Sequence, residues 1–534
     1  MTQGTYGPNF ASPSLCRRFS APAFLLAVAA SLGADPRATV CARCHPKEVA
    51  AYARTGMAQS LFAASNAPRV PDGAVDNSAS GAKFTIRTAP SGLVQSEQWK
   101  NESTERPVAF VIGSGNHAFG YLIETGDHVF QSPLSYYVNR RIWDLAPGYE
   151  NNRHPDFSRP VGLECLLCHS GRPLPVAHTL NRYEPGVFSS LAISCDRCHG
   201  SAEEHLKKPV AGSIINPAKL SGSERDSVCE QCHLKGESRI PNPGKELSDF
   251  HPGQRAEEVF TTYVASRPDG KSIKVVSHFE QLARSLCARQ SAGKLWCGTC
   301  HNPHDKPLQA IAEYYRGRCL SCHGTTLEAA HAAPGRDCVS CHMPRQQASD
   351  GGHTVFTDHR IARNPGRDEP LDQPASIVAW RQPADPSLGR RNLALAFARV
   401  GMERQSSDFV SRGYQMLTYV ERDFPNDPAV LAQLGSLALT ANQSQQALDL
   451  FERVARIEPD SAEAQTNMAA ALIRLNRSPE AVEHLKKALG LDPLLRSSVN
   501  LLARLYQQQG EAAKAADIVG KYRRAMGVRM APNQ

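Results

Sequence analysis

No apolar stretch in the 534 residues reaches the ~18 needed to cross a bilayer as a helix, which excludes an integral membrane protein. Neither acidic nor basic residues dominate: charged residues are 21% and hydrophobic residues 41%, an ordinary globular balance. Cysteine outside one spacing is almost missing. Of sixteen cysteines only Cys16 and Cys287 escape the pattern, and none occurs beyond Cys341. Sixteen in 534 is too dilute for a small disulfide scaffold. At ~100–200 residues per domain, the length fits two to four domains.

The other fourteen cysteines form seven copies of Cys-x-x-Cys-His: Cys41-Cys44-His45, Cys165-Cys168-His169, Cys195-Cys198-His199, Cys229-Cys232-His233, Cys297-Cys300-His301, Cys319-Cys322-His323 and Cys338-Cys341-His342. This spacing reads as covalent attachment of c-type haem. Residues three and four apart share one face of a helical turn, so two thiols can meet two vinyl groups on one porphyrin edge. The following His can then take the iron as proximal ligand. Zinc ribbons use paired Cys-x-x-Cys but need no following His, and disulfides need none either. Here His follows in all seven copies. The expectation is therefore seven covalent c-type haems.

Seven irons also need a second ligand or an open position. Eleven of the twelve surplus histidines precede residue 360. The distal candidates are His117, His178, His205, His278, His304, His331, His353 and His359. His205 and His304 follow their own motifs too closely to reach the far face of the same haem, so each is expected to serve a neighbour. His128, His154 and His251 read as polar loop or strand-edge residues. Met57 is a rival ligand, although a Met among small residues is more often packing. For any single histidine the bland reading is a surface or hydrogen-bonded side chain.

Residues 1–34 read as an export signal, with Arg17 and Arg18 before the apolar stretch Ala21–Ala34. Periplasmic or otherwise exported placement is expected. The formal charge is +8. Losing the two leader arginines and adding about −1 per ferric or −2 per ferrous haem brings it to roughly −1 or −8. The apparent basicity is thus no sign of nucleic acid binding. It fits Arg and Lys that accompany buried propionates.

Along the chain, residues 35–362 form the motif-bearing unit. Alternating stretches inside 82–140, such as Lys83-Phe84-Thr85-Ile86-Arg87, predict a small antiparallel insertion. From Cys165 onward motif starts are separated by 30, 34, 68, 22 and 19 residues, which leaves little room for a protein core. Residues 363–386 read as a Pro-rich linker. Residues 387–529 then carry a 34-residue period: Pro425, Pro459 and Pro493, with Gly401, Gly435, Ala469 and Ala503 in step. The fold class expected is mainly α, a haem-cored body with few regular elements followed by a helical solenoid. The period, small residues and closing prolines resemble the tetratricopeptide repeat, with repeats at 428–461, 462–495 and 496–529 and a degenerate one at 394–427.

Residues 38–365 resemble the multihaem c-type cytochromes that include the tetrahaem cytochrome of ammonia oxidisers and the pentahaem nitrite reductases. The segments that carry the resemblance are Cys195-Asp-Arg-Cys-His-Gly with His205, Cys297-Gly-Thr-Cys-His-Asn-Pro-His304, Cys338-Val-Ser-Cys-His-Met-Pro, and His353-Thr-Val-Phe-Thr-Asp-His359. The resemblance implies bis-His haems in stacked and perpendicular pairs acting as a wire. Its nitrite reductases use Lys in place of one motif His, and no Cys-x-x-Cys-Lys occurs here. The leading expectation is an electron carrier that serves redox partner proteins and docks a protein through its repeats. The alternative is an oxidoreductase on a small nitrogen or sulfur compound at one open haem, the first being favoured because no distal His is near it in sequence. Cys287 has no assigned role.

Overall fold

The computed structural model describes residues 36–149, 152, 154–266, 273–307, 310–329, 331, 337–363 and 376–530. The leader expected at 1–34, and within the linker expected at 363–386 residues 364–375, lie outside the described residues.

Two antiparallel sheets occupy residues 61–160. In one, Gly73–Asn77, Ala82–Ala89, Gly92–Trp99 and Glu102–Pro107 pair in chain order. Ala82, Phe84 and Ile86 are buried while Lys83 and Arg87 face outward, the period-2 signature of a half-covered sheet. The other sheet joins Leu61–Ala63, Phe110–Ile112, Ala118–Thr125, His128–Gln131 and Arg159–Pro160, with Leu134–Tyr137 paired to Ala118–Thr125 and Ile142–Leu145 beyond it. Phe84, Ile86, Phe119, Tyr121 and Leu134 form one buried cluster from both.

The N-terminal part therefore carries far more β structure than the expected few-element, mainly α body. Further antiparallel pairs join Arg172–Pro175 to Tyr183–Ser190, Ser238–Pro241 to Phe260–Ala265, and Arg345–Gln347 to Val355–Thr357. The reasons these escape a pattern search are physical. Phe260–Ala265 is buried along nearly its whole length, so it shows no alternation. Arg172–Pro175 and Tyr183–Ser190 contain Pro and Gly, which normally argue against a strand.

The C-terminal part is four antiparallel helix pairs: α1 (Pro386–Glu403) and α2 (Ser407–Asp423), α3 (Pro428–Thr440) and α4 (Ser444–Ile457), α5 (Ala462–Arg474) and α6 (Ser478–Leu491), α7 (Arg496–Gln508) and α8 (Ala512–Ala525). Pro at the first turn and a side-chain cap start α1 and α3: Asp385 accepts from Ser387 N–H, and Asp427 from Ala429 and Val430 N–H. Asn442, Asn476 and Gly510, again 34 apart, take positive φ in the turns within pairs. Close approach explains the small residues: a Cβ on Gly413 would sit 2.7 Å from the Ala398 backbone nitrogen. α1 begins at Pro386, eight residues ahead of the period's expected first repeat at 394.

These helices are fused to the N-terminal part. Ile240, Tyr263 and Ile377 belong to the same buried cluster as Leu395, Phe397 and Leu417. Ile377–Ala379, at the end of the expected linker, pairs with Phe260–Ala265. After α8, Val528–Met530 adds to Glu102–Pro107. The repeats are thus anchored at both ends.

Candidate metal centre

The motif cysteines sit on short helical turns. Cys229–His233 ends the helix Gly222–His233, which Ser221 and Glu224 start with a capping box. Cys165 lies in Leu163–Leu167, Cys198 and His199 in Asp196–His199, Cys297 and Cys300 in Cys297–Cys300, and the seventh motif in Cys338–His342. Cys319–His323 belongs to Ile311–Ala329, which kinks at Gly324. In the motifs at 41, 195 and 297 the His N–H reaches the first Cys carbonyl, at 2.8–2.9 Å. That bond holds the helical turn that brings two thiols and an imidazole to one side.

Histidines from separate segments converge on these turns. His205 stacks over His45 with ring centres 6.3 Å apart and planes within 22°. His304 lies parallel to His199 at 5.7 Å and 10°, with the two Nε2 atoms 3.4 Å apart. His359 is 6.2 Å from His301, His331 is 6.0 Å from His342, and His278 is 5.0 Å from His233. A metal held between two imidazoles at about 2 Å each puts ring nitrogens about 4 Å apart and ring centres about 6 Å apart. Four of the five spacings lie close to that value.

The other ring nitrogens point the same way. His199 Nδ1 bonds to the Ile215 carbonyl (2.7 Å), His342 Nδ1 to the Ala362 carbonyl (3.0 Å), His359 Nδ1 to the Thr357 carbonyl (2.9 Å) and His205 Nδ1 to Ser213 Oγ (2.8 Å). Spending Nδ1–H on a fixed acceptor leaves the Nε2 lone pair free, as metal-ligating histidines require. Burial and neighbouring imidazoles press His233 down to about 4 and also lower His278, while burial is the main cause at His169, His301 and His359. These rings are neutral near pH 7. His169, His233 and His301 nevertheless expose more than a third of their area.

The remaining expected ligands lie elsewhere. His353 engages both nitrogens, Nδ1 with Arg140 at 2.9 Å and Nε2 with Asp144 at 2.7 Å. His178 meets Glu458 at 3.5 Å. His117 stacks on Phe356 at 4.1 Å, and its buried Nδ1 has no partner among the described residues. His128 bridges two aspartates, and His154 packs 6.0 Å from Trp99. The first motif, expected to lack a nearby second His, is the one His205 covers. Among the described residues no ring contact pairs His169 or His323 with a second imidazole.

Motifs also touch one another. Cys168 Sγ donates to the Gln231 carbonyl (3.8 Å) and Cys232 Sγ to the Leu167 carbonyl (3.9 Å), which sets the second motif against the fourth. Sequence reading missed the residues that lock these turns. Arg239 donates to the carbonyls of Gln231 (2.8 Å), Glu230 (2.9 Å) and Leu234, capping the C-terminus of the fourth-motif helix. Glu230, inside that motif, accepts from Trp380 Nε1 (2.8 Å) and Arg381 (2.7 Å). The sole sequence signal for Arg239 was a basic residue just past a helix end.

The tetratricopeptide repeat family model matches residues 438–494. Protein FlbA of Caulobacter vibrioides is 34% identical over 131 residues, 24% of this chain and 21% of its own length. The inactive TPR repeat-containing thioredoxin TTL3 of Arabidopsis thaliana is 35% identical over 89 residues, 17% of this chain and 13% of its own length. The chain spans about a fifth or less of these curated relatives. A structure of MamA from Desulfovibrio magneticus is 20% identical, covers 26% of this chain and 75% of its own, and has a TM-score of 0.24. Another MamA structure, described as MSR-1 C2, is 25% identical with a TM-score of 0.24, covering 27% of this chain and 78% of its own. Among the described residues no helix is long and apolar enough to cross a membrane. The family match, the 34-residue period and the antiparallel helix pairs identify the C-terminal region as an array of tetratricopeptide repeats, which points to protein partners.

Proposed function

We propose that the chain is an exported multihaem c-type cytochrome that carries electrons between redox partner proteins and docks a partner through its repeats. The fourteen motif cysteines would hold seven haems, with His45, His169, His199, His233, His301, His323 and His342 as proximal ligands. His205, His304, His359, His331 and His278 would supply the second imidazole to the first, third, fifth, seventh and fourth sites. The haem supplies reversible one-electron chemistry when bound. The chain's part is to fix ligand tautomers through Nδ1 bonds, exclude water and keep the motifs in contact. The observation that carries the reading is His199 Nε2 facing His304 Nε2 at 3.4 Å while His199 Nδ1 is spent on a carbonyl. The test is a pyridine haemochrome assay with intact mass on the exported protein. Seven haems per chain are expected, and a bare chain or a count far below seven sinks the reading.

A second reading keeps one site open for a small nitrogen or sulfur compound. It is favoured at the second or the sixth site, because neither His169 nor His323 makes a ring contact with a second imidazole among the described residues. Nitrite or hydroxylamine should then shift the spectrum of one haem and be turned over. Seven sites inert to both would remove it.

A further inference from the structure

A cavity of about 230 Å³ lies on the seam between the second motif and the repeats. Leu163 and Glu164, just before Cys165, form one wall. The segment Pro175–Tyr183 brings Arg182, the turn Pro241–Leu247 brings Lys245, and α1 brings Arg399. Three cations thus meet in one hollow.

Their partners differ. Arg182 is matched: it pairs with Asp127 at 2.6 Å and donates to the Leu491 carbonyl at 2.6 Å. Arg399 has one long bond, to the Arg239 carbonyl at 3.4 Å. Burial lowers its pKa, and Glu164 is the one acid that opposes the shift. Glu164 and Glu246, the acids of the cavity wall, are exposed, and Glu246 is occupied as the cap of its own turn. His178 is drawn to Glu458. A desolvated guanidinium with one weak acceptor beside an open volume is an anion site waiting for its acceptor atoms.

We propose that this cavity binds a carboxylate or small oxyanion, with Arg399 as the half-buried anchor and Lys245 at the mouth. Two sources share that chemistry. One is a propionate of the group carried at Cys165-Cys168-His169, an arm that rests on the haem reading above. The other is a free anion, an arm that does not.

The experiment uses the full purified chain, the variants Arg399→Gln and Lys245→Ala, and sulfate, nitrite and acetate as probes against chloride at matched ionic strength. A free-anion site gives a saturable rise in melting temperature with at least one probe, with apparent affinity reduced tenfold or more in Arg399→Gln and measurably in Lys245→Ala. A propionate site gives no probe response, but both variants shift the midpoint potential of one haem while the haemochrome count stays unchanged. Neither a probe response nor a shifted potential overturns the proposal. Lys245 is exposed, so Lys245→Ala decides the outcome if Arg399→Gln does not fold. A haemochrome count far below seven defeats the haem reading separately, and the melting response then stands as the whole test.

Discussion

His128 sits where the strand His128–Gln131 meets the turn after α6, and both it and Asp492 are only 4% exposed. Its Nε2 lies 2.8 Å from Asp492 Oδ1 and its Nδ1 2.7 Å from Asp127 Oδ1. Each ring nitrogen faces a carboxylate oxygen. Replacing His128 with Leu strands the Asp492 carboxylate in a dry seam, where its remaining bond is to Leu494 N–H at 3.0 Å. Removing one partner of a buried pair costs about 3–5 kcal/mol. Removing both in His128→Leu/Asp492→Leu should restore much of that, because apolar replacements of a buried pair are often neutral. The assay is urea unfolding of the full chain followed by far-UV circular dichroism, run as a double-mutant cycle. A coupling of at least about 1 kcal/mol is expected. Additive single mutants, or a His128→Leu loss below about 1 kcal/mol, would refute a buried bridge that ties the repeats to the N-terminal sheets.

Gly413→Ala should destabilise by about 1–3 kcal/mol through its clash with the Ala398 backbone. Gly490→Ala, in α6 with nothing within 4 Å, should stabilise by about 0.5–1 kcal/mol; thermal melts of both variants check the contrast. Burial, then Asp156 and Glu102, raise Glu97 to about 7. A raised carboxyl favours folding fully below its unfolded value of 4.5, and the gain is lost as pH rises through 7, worth up to about 3 kcal/mol. Glu97→Gln should flatten stability between pH 4.5 and 7, and an unchanged pH profile would discount the buried carboxyl. Deleting residues 387–534 should leave little soluble protein, since it uncovers Ile240, Tyr263 and Ile377. A soluble truncation with native near-UV dichroism would show the repeats to be an independent appendage.

What could be read in advance depended on how local the cause was. The 34-residue period is local: Gly435, Phe451 and Ala469 recur because each helix pair repeats the same contact, so the sequence itself carries the register. The strand 82–89 was legible because one of its faces is wet. Phe260–Ala265 was not, because it is covered by Ser238–Pro241, Ile377–Ala379 and α1, and long-range burial erases alternation. The same divide runs through the metal centre. Cys-x-x-Cys-His is a five-residue signal, while the link from His45 to His205 spans 160 positions and leaves no mark on spacing. Hence the first motif, the poorest in nearby histidines along the chain, has a partner ring stacked over it.

The way the repeats attach constrains what they can dock. The turns between pairs face inward: Arg391 holds Asp427 at 2.8 Å and the Pro241 carbonyl at 2.6 Å, Glu458 meets His178, Asp492 meets His128, and Arg496 holds Asp156 at 3.0 Å. Successive inter-pair turns are thus spent on the N-terminal part, so that edge of the array is closed to a partner. Exposed Met402 and Tyr419, on α1 and α2, lie outside those contacts. Charge reversal at exposed Arg422, beside Tyr419, should therefore weaken partner capture without lowering stability. Reversal at Arg496 should lower stability first, because it breaks the ion pair to Asp156. If both variants lost stability equally, the division between a closed edge and an open face would be wrong.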